Sequence, residues 1–348
     1  MKNIGCILYY DMDKYEELAE CSYKSFIKWH PEIETHLITP KNINNYREYE
    51  WNNKTNQLTQ VGNKPFQQLD LSTNILSADE GFACGINKYM TAREIMFKNN
   101  YDKIIILGVD TITTYRLDEF LDNDDDDILA TLNYDIHEST DYWSTPIVDI
   151  KTQEGDTIQE HLNINADVVC FNSLEALESI LELSINHRTY FNEQGGLNEM
   201  AFANKKYSVN IVDSPYILSN VSYNIRSKGV PRLEMIGFGD EHGGNIVNCW
   251  PNNIHGFDYD WLAERNLLDG QPSPIKSWYV EGDKLFTHDN KQIKCFHYAE
   301  GLGCQTIERF NEKVNSFKNN WFNEQTIKFF RENCNCTNFF GIGDNIEN

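Results

Sequence analysis

The opening of the chain carries the pattern that most narrows what it can fold into. Ile4 to Tyr10 is an unbroken apolar run of strand length, and Tyr15, Leu18, Ala19, Tyr23, Phe26 and Ile27 then recur at helical spacing up to Trp29. Pro31 cannot continue that helix, and Glu34 to Thr39 reads as a second strand. Strand, helix, strand in this order predicts parallel pairing, because parallel neighbours need a crossover and the helix supplies it. A sheet begun this way needs helices on both faces.

The alternation persists. A polar, Asn-rich stretch at 41–64 reads as a surface excursion, after which Ile86, Tyr89, Met90, Met96 and Phe97 mark a helix. Lys103 to Leu107 is a short apolar strand that breaks at Gly108. Leu117 to Leu121 reads as a brief helix, Asp122 to Asp127 as a solvated acidic turn, and Ile128 to Leu132 as a buried strand. Val168 to Phe171 is a further strand, followed by a helix carrying Leu174, Leu177, Ile180 and Leu181. After Asp213 the pattern turns irregular and rich in Gly, Pro, Trp and Tyr, until Ile307, Phe310, Val314, Phe317 and Trp321 define an amphipathic helix. With no linker and no internal repeat, the expectation is one domain over 1–348, an α/β core at 1–212 closed by 213–348.

Composition excludes several partners. At 348 residues, 40% hydrophobic and 13% aromatic, the chain can fill a large core. Thirty Lys and Arg against 53 Asp and Glu give a net charge of -23, which repels nucleic acid and anionic lipid surfaces. Ile4 to Tyr10 is too short for a signal-peptide core, and no run approaches the roughly 18 apolar residues that span a bilayer, so the expected location is cytoplasmic without membrane insertion. Nine cysteines without a secretion signal are expected to be thiols. Cys334 and Cys336 lack the second ligand pair of a zinc site, and the Asn-x-Ser/Thr matches at Asn53, Asn220 and Asn335 carry no weight in a cytoplasmic chain.

In an open α/β sheet, ligands sit beyond the carboxyl ends of the strands. Ile104 to Leu107 followed by Gly108-Val109-Asp110-Thr111 has that form, and alternation points Asp110 away from Val109. Its carboxylate can hold Mg2+ or Mn2+ against a diphosphate, or it can simply begin a turn.

Tyr101 to Leu132 resembles the central region of GT-A glycosyltransferases, especially the glycogenin-like and lipopolysaccharide-hexosyltransferase-like family 8: a strand, an Asp-x-Asp, a short helix with Leu-Asp-Glu-Phe character and another strand. Gly108 stands where the family has its first Asp, so the triplet that would touch donor and metal is Gly108-Val109-Asp110, with Asp110 as the surviving metal ligand. Lys88 to Arg93 resembles the helix whose Arg faces the sugar, which assigns that role to Arg93; its alternative is an Arg reaching solvent. Asn165-Ala166-Asp167-Val168-Val169-Cys170-Phe171-Asn172 resembles the strand whose leading Asn bonds the sugar or acceptor, with Asp167 in place of Gly as either a turn carboxylate or a substitute polar contact. Glu193-Gln194-Gly195-Gly196-Leu197-Asn198, by itself a helix N-terminus with a Gly pair, resembles the Asp-Gln-Asp segment beside the anomeric carbon in its first two residues, with Gly195 in place of the third.

The segment Lys294 to Gly301 resembles the late segment whose His, here His297, completes the metal shell and whose Gly, here Gly301, lets backbone N–H groups approach the diphosphate. One extra residue separates the two, and the phosphate-gripping Lys is missing; Arg226, Lys228 and Arg232 either supply that charge or lie on the surface. Cys295 and His297 share a strand face but lack the partners of a soft-metal site. Tyr9, Tyr10 and Asp11 end the first strand where such enzymes hold base and ribose; a tyrosine-capped core is the equal alternative.

The resemblance implies a GT-A fold and metal-assisted, retaining transfer of a hexose from a nucleoside-diphosphate sugar, uridine by analogy, to a glycan or glycoprotein hydroxyl. Catalytic positions would be Gln194, Glu193 and Asn165, with Tyr9, Tyr10, Asp11, Arg93, Gly108, Val109, Asp110 and Gly301 on the donor and Asp110 and His297 on Mn2+ or Mg2+. Trp250, Trp261 and Trp278 offer flat surfaces to an acceptor sugar. Two other readings stay open: an inactive GT-A module that binds carbohydrate or protein, and a sugar nucleotidyltransferase, against which stands the lack of a Gly-rich basic loop after the first strand. Oligomeric state is not encoded legibly.

Overall fold

The computed structural model describes residues 2–47, 49–52, 57–60, 80–132, 147–151, 157–161, 164–187, 192–211, 217–218, 279–286 and 292–297, with 325, 328, 329 and 332. The first part runs β1 (Ile4–Tyr9), α1 (Glu16–Trp29), β2 (Glu34–Ile38), β3 (Tyr49–Asn52), β4 (Gln57–Gln60), α2 (Glu80–Asn99), β5 (Lys103–Leu107), β6 (Thr111–Thr113), α3 (Asp118–Asp122) and β7 (Ile128–Leu132). It continues through β8 (Ile147–Lys151), β9 (Thr157–His161), β10 (Ile164–Phe171), α4 (Leu174–His187), α5 (Asn192–Glu199), β11 (Val209–Ile211) and β12 (Ile217–Leu218). Last come β13 (Tyr279–Glu281), β14 (Lys284–Phe286), β15 (Gln292–Ile293) and β16 (Cys295–His297).

The main sheet has the order β11-β7-β10-β5-β1-β2. Parallel pairs join β1 to β2, β1 to β5 and β7 to β11, whereas β10 is antiparallel to both β5 and β7. The molecule is thus a mixed α/β structure with a mostly parallel central sheet, as its apolar runs predict. The strands read as continuous apolar blocks because both faces are covered. Ile7, Ile104, Ile106, Val169 and Phe171 face one core with α2, α4 and α5; Cys6, Leu8, Ile105, Leu107, Val168 and Cys170 face the other with Phe26 of α1 and Phe120 of α3. Gly196 lets α5 lie close on α4, since a Cβ there would sit 2.8 Å from Ile180 O.

Three features depart from the sequence expectation. The 41–64 stretch, expected as an irregular excursion, contains the β3–β4 hairpin, and β8–β9 is a second hairpin. The acidic turn is bonded rather than merely solvated: Asp127 accepts from Ser208 N at 2.9 Å, Asp126 from Asn210 Nδ2 at 3.0 Å, and Asp124 pairs with Lys2 and Lys103. Lys103, fully buried at the start of β5, directs its ammonium at the end of α3, reaching Leu121 O at 2.8 Å and Asn123 O at 2.6 Å. These are the carbonyls that a helix C-terminus leaves without intrahelical donors.

The described cysteines Cys6, Cys21, Cys84, Cys170 and Cys295 are thiols. Among the described residues no helix is long and apolar enough to cross a membrane. The expected C-terminal helix over Ile307 to Trp321, the tryptophans Trp250, Trp261 and Trp278, the basic residues Arg226, Lys228 and Arg232, the pair Cys334 and Cys336, and Gly301 lie outside the described residues.

Candidate functional site

Because β10 runs against β5, its first residues lie at the carboxyl end of the parallel strands, where β5 gives way to Gly108 and Asp110. Val168 pairs with Leu107, so Ala166 and Asp167 reach just past the end of β5. On its other edge β10 shifts register against β7 between Asn165 and Val169. Such a bulge re-aims side chains and leaves backbone groups to be satisfied elsewhere.

Each neighbouring element supplies part of that satisfaction. Gly108 N donates to Asp167 O at 2.6 Å, Tyr89 Oη to Ala166 O at 3.1 Å, and Ala166 N to Gln194 Oε1 at 3.3 Å. Asp167 N donates to Asn165 Oδ1 at 2.7 Å, and Asn198 bonds both the N–H and the carbonyl of Ile164, at 2.8 and 3.2 Å. The bulge therefore ties β5, α2 and α5 into one rigid junction.

Three carboxylates and one ammonium collect there. Lys88 of α2 is buried, with Nζ 2.6 Å from Asp167 Oδ1 and 3.0 Å from Glu193 Oε1. Two glycines make room for those partners. A Cβ at Gly85 would sit 2.5 Å from the Glu193 carboxyl carbon, and one at Gly108 would sit 2.8 Å from Asp167 Cβ and 2.8 Å from Asp110 Oδ1. Burial pushes the Glu193 carboxyl up from its ordinary value, and the Lys88 charge works against that rise. Burial also works to lower Lys88, but Asp167 and Glu193 outweigh it and hold the ammonium well above its ordinary pKa.

Asp110 is partly exposed at the mouth of this junction. Its turn is fixed from below: Thr111 Oγ1 donates to Gly108 O at 2.7 Å, and Ser22 Oγ of α1 reaches the same oxygen at 3.1 Å. Beyond it β6 pairs antiparallel with β16, matching Thr111 to His297, so the His297 position lies one residue along from Asp110. Thr114 Oγ1 on Ile293 O, at 2.7 Å, and the Lys294–Glu119 pair hold that wall in place.

At the end of β1, Tyr9 and Tyr10 are buried, each about 3% exposed. Tyr9 packs its ring into the core, donates to Asp11 Oδ2 at 3.2 Å and accepts from Arg47. Burial raises its pKa first and foremost, so it stays a phenol. The Cys84 thiol is likewise raised, by burial and then by Asp11, with Lys88 and Glu193 also acting on it; this thiol bridges the β1 end to the Lys88 cluster.

The sequence-derived residues therefore divide. The structure brings Gly108, Asp110, Asn165, Glu193 and Gln194 together around the β10 bulge, with the His297 position beside them and Asp11 linked through Cys84. Asn165 spends Oδ1 inside the bulge. Arg93 points elsewhere: it bonds Glu178 of α4 at 2.6 Å and Glu94 at 3.3 Å, and stacks over Phe97. Five residues separate it from Lys88, which is more than one helical turn and rotates it onto the α4 face. Lys88 and Arg47 are charged groups that the sequence left without a role, and Asp167, open between a turn carboxylate and a substitute polar contact, joins the cluster through Lys88. The signal for Lys88 was its position one turn after Gly85 and one turn before Ala92, on the side of the helix that those small residues share.

No protein-family model matches the sequence, and no curated protein matches it. Among solved structures, the apo form of the bifunctional glycosyltransferase WbbM is similar over 95% of this chain and 51% of its own, at 11% identity and a TM-score of 0.39. The galactosyltransferase LgtC in complex with donor and acceptor sugar analogues is similar over 64% of this chain and 78% of its own, at 14% identity and TM-score 0.35. The glycosyltransferase GlyE of Streptococcus pneumoniae TIGR4 is similar over 86% of this chain and 55% of its own, at 13% identity and TM-score 0.31. The chain thus spans about half the length of WbbM.

Proposed function

We propose that this protein is a glycosyltransferase that moves a hexose from a nucleoside-diphosphate sugar to a glycan or protein hydroxyl, with residues 1–212 holding the donor and 213–348 serving the acceptor. The observation that carries the reading is the junction of Asp110, Asp167, Glu193, Gln194 and Lys88 at the carboxyl end of the parallel strands, where open α/β sheets bind ligands. The ordered sequence segments around Asp110, Asn165, Glu193 and His297 support the same reading.

The donor set fits a divalent cation. Asp110 and Asp167 flank Gly108 with hard oxygen donors, and the side chains of Asp110, Asp167, Glu193 and Lys88 together carry net negative charge. Although three carboxylates gather at the junction, no three side chains among the described residues are arranged to hold a metal ion, so Asp110, with His297 as second ligand, would leave much of the coordination to diphosphate and water. Bound there, Mn2+ or Mg2+ neutralises the departing diphosphate. The protein's part is to hold Glu193 and Gln194 in place on α5, against the sugar face where positive charge develops. In this reading Asp11, at the end of β1 and already accepting from the Tyr9 hydroxyl, would accept from a base N–H or a ribose hydroxyl with its remaining lone pairs.

Calorimetric titration with UDP, with and without Mn2+, followed by a panel of UDP-sugars, tests this. Metal-dependent binding and slow hydrolysis of one sugar are expected, both abolished in Asp110→Ala. No nucleotide binding at all would favour an inactive carbohydrate-binding module.

A further inference from the structure

We propose that Lys88 is a positioning residue of this site, acting through Glu193 and Asp167; the inference rests on the glycosyl-transfer reading above. Lys88 lies on α2, Asp167 on the β10 bulge and Glu193 at the start of α5, so one ammonium ties three elements of the site together. Only 7% of Lys88 is exposed, and its two contacts are short. A buried lysine of this kind is retained only where its partners compensate its desolvation.

The surrounding residues are fitted to this arrangement. Gly85 lies one turn before Lys88, and any side chain there would collide with the Glu193 carboxylate. Gly108 stands at the end of β5, and a side chain there would collide with Asp167. Neither glycine has a positive φ, so both serve clearance rather than backbone freedom. Each partner of Lys88 therefore faces a position emptied of its side chain. Tyr89 fixes the same stretch of α2 by donating to Ala166 O.

The consequence for chemistry lies with Glu193. It is 8% exposed and would resist ionising without a cation at 3.0 Å. Lys88 keeps it a carboxylate and keeps Gln194, its neighbour on α5, in register with the Ala166 N–H. The groups facing Lys88 are Asp167 from β10, Glu193 from α5, and Tyr89 and Cys84 from α2, with Asp11 acting on Cys84. Of these, Cys84 and Tyr89 have raised pKa values, chiefly by burial, and stay neutral through the working range.

The test uses the full chain with Lys88→Met, which keeps the length and removes the charge. Thermal unfolding controls for folding, and Lys88→Gln, which removes the charge but keeps a hydrogen-bond donor toward Asp167 and Glu193, substitutes if Lys88→Met does not fold. Affinity for UDP with Mn2+ is expected to stay within about threefold, while turnover of the UDP-sugar donor falls on the order of 100-fold at neutral pH. The acid limb of the pH–rate profile is expected to move up by at least about one pH unit, because Glu193 then ionises without its cation. A folded variant whose acid limb stays in place, or whose UDP affinity and turnover fall together, overturns the role of Lys88. A wild-type protein that neither binds nor turns over any nucleotide sugar overturns the glycosyl-transfer reading, and this inference with it.

Discussion

Replacing Gly108 with Asp restores the side chain that the sequence resemblance leads one to expect, yet the structure predicts that it harms the protein. A Cβ at position 108 would sit 2.8 Å from Asp167 Cβ, 3.1 Å from Asp167 Cγ and 2.8 Å from Asp110 Oδ1. The Asp110 oxygen ends a side chain that can turn aside. Asp167 Cβ cannot, because its backbone is held by Gly108 N at 2.6 Å and Asn165 Oδ1 at 2.7 Å. Overpacking of this kind costs about 1–3 kcal/mol. A third carboxylate some 5 Å from each neighbour adds roughly 3 kcal/mol per pair at an effective dielectric near 20, cut to about 1 by partial exposure and salt. Gly108→Asp is therefore expected to lose about 3–5 kcal/mol, and Gly108→Ala only the steric share, about 1–3 kcal/mol. Urea unfolding followed by tryptophan fluorescence reads both. The exchange variant Gly108→Asp/Asp167→Gly, which also deprives Lys88 of a partner, is expected to lose about 2 kcal/mol less than the two single variants added, the coupling read from a double-mutant cycle. If Gly108→Asp is as stable as wild type, or the double variant is as unstable as the two singles added, then Asp167 does not occupy the space of a position-108 side chain.

Two further predictions concern the scaffold. Burial, then the Arg116 charge, lowers His30 from 6.5 to about 4; its Nε2 accepts from Leu117 N at 3.0 Å, and the folded ring is neutral. Between those values the unfolded chain binds the extra proton, so the stability due to His30 is present above pH 6.5 and lost as pH falls toward 4, about 3 kcal/mol in all. The stability difference between wild type and His30→Gln, measured by urea unfolding at pH 8 and pH 4, is expected to shift by that amount, and a pH-independent difference refutes it. Lys103→Met leaves the Leu121 and Asn123 carbonyls without their charged donor and is expected to cost about 3 kcal/mol, against less than about 1 for Lys2→Met, which removes an exposed ion pair with Asp124.

Much of the scaffold is legible in the residues because a strand buried on both faces must be apolar throughout. Ile4 to Tyr9 and Ile104 to Leu107 meet that condition and are plain to read, whereas the buried Lys103 at the start of β5 does not. β10 is not, since its first half, Ile164-Asn165-Ala166-Asp167, is where the strand bulges and polar groups turn to other elements. The hairpins β3–β4 and β8–β9 lack the apolar signal for the same reason that they lie off the main sheet. Around the site, Asp110 is legible as the first polar side chain beyond a buried strand, whereas Glu193 and Gln194 stand out only through the resemblance of their segment, which alone reads as a helix N-terminus. Lys88 is not legible, because a lysine in a helix looks solvent-facing until a partner is placed over it; Asp167 stays open between a turn carboxylate and a polar contact, since the register shift beside it is not written in its segment.

The wall beside Asp110 has a further meaning for how the molecule comes into being. β1 pairs with β2 across 29 residues of chain and with β5 across 99, but Thr114 is held by Ile293, 179 residues away. Closing so long a loop adds an entropic cost that grows only slowly with length, yet it must be met before any contact across it rewards the chain. During synthesis the central strands therefore have time to assemble while this edge is still open. The wall beside Asp110 is thus an attribute of the late chain: the strands that make up the early fold stand without it until β16 returns to pair with β6.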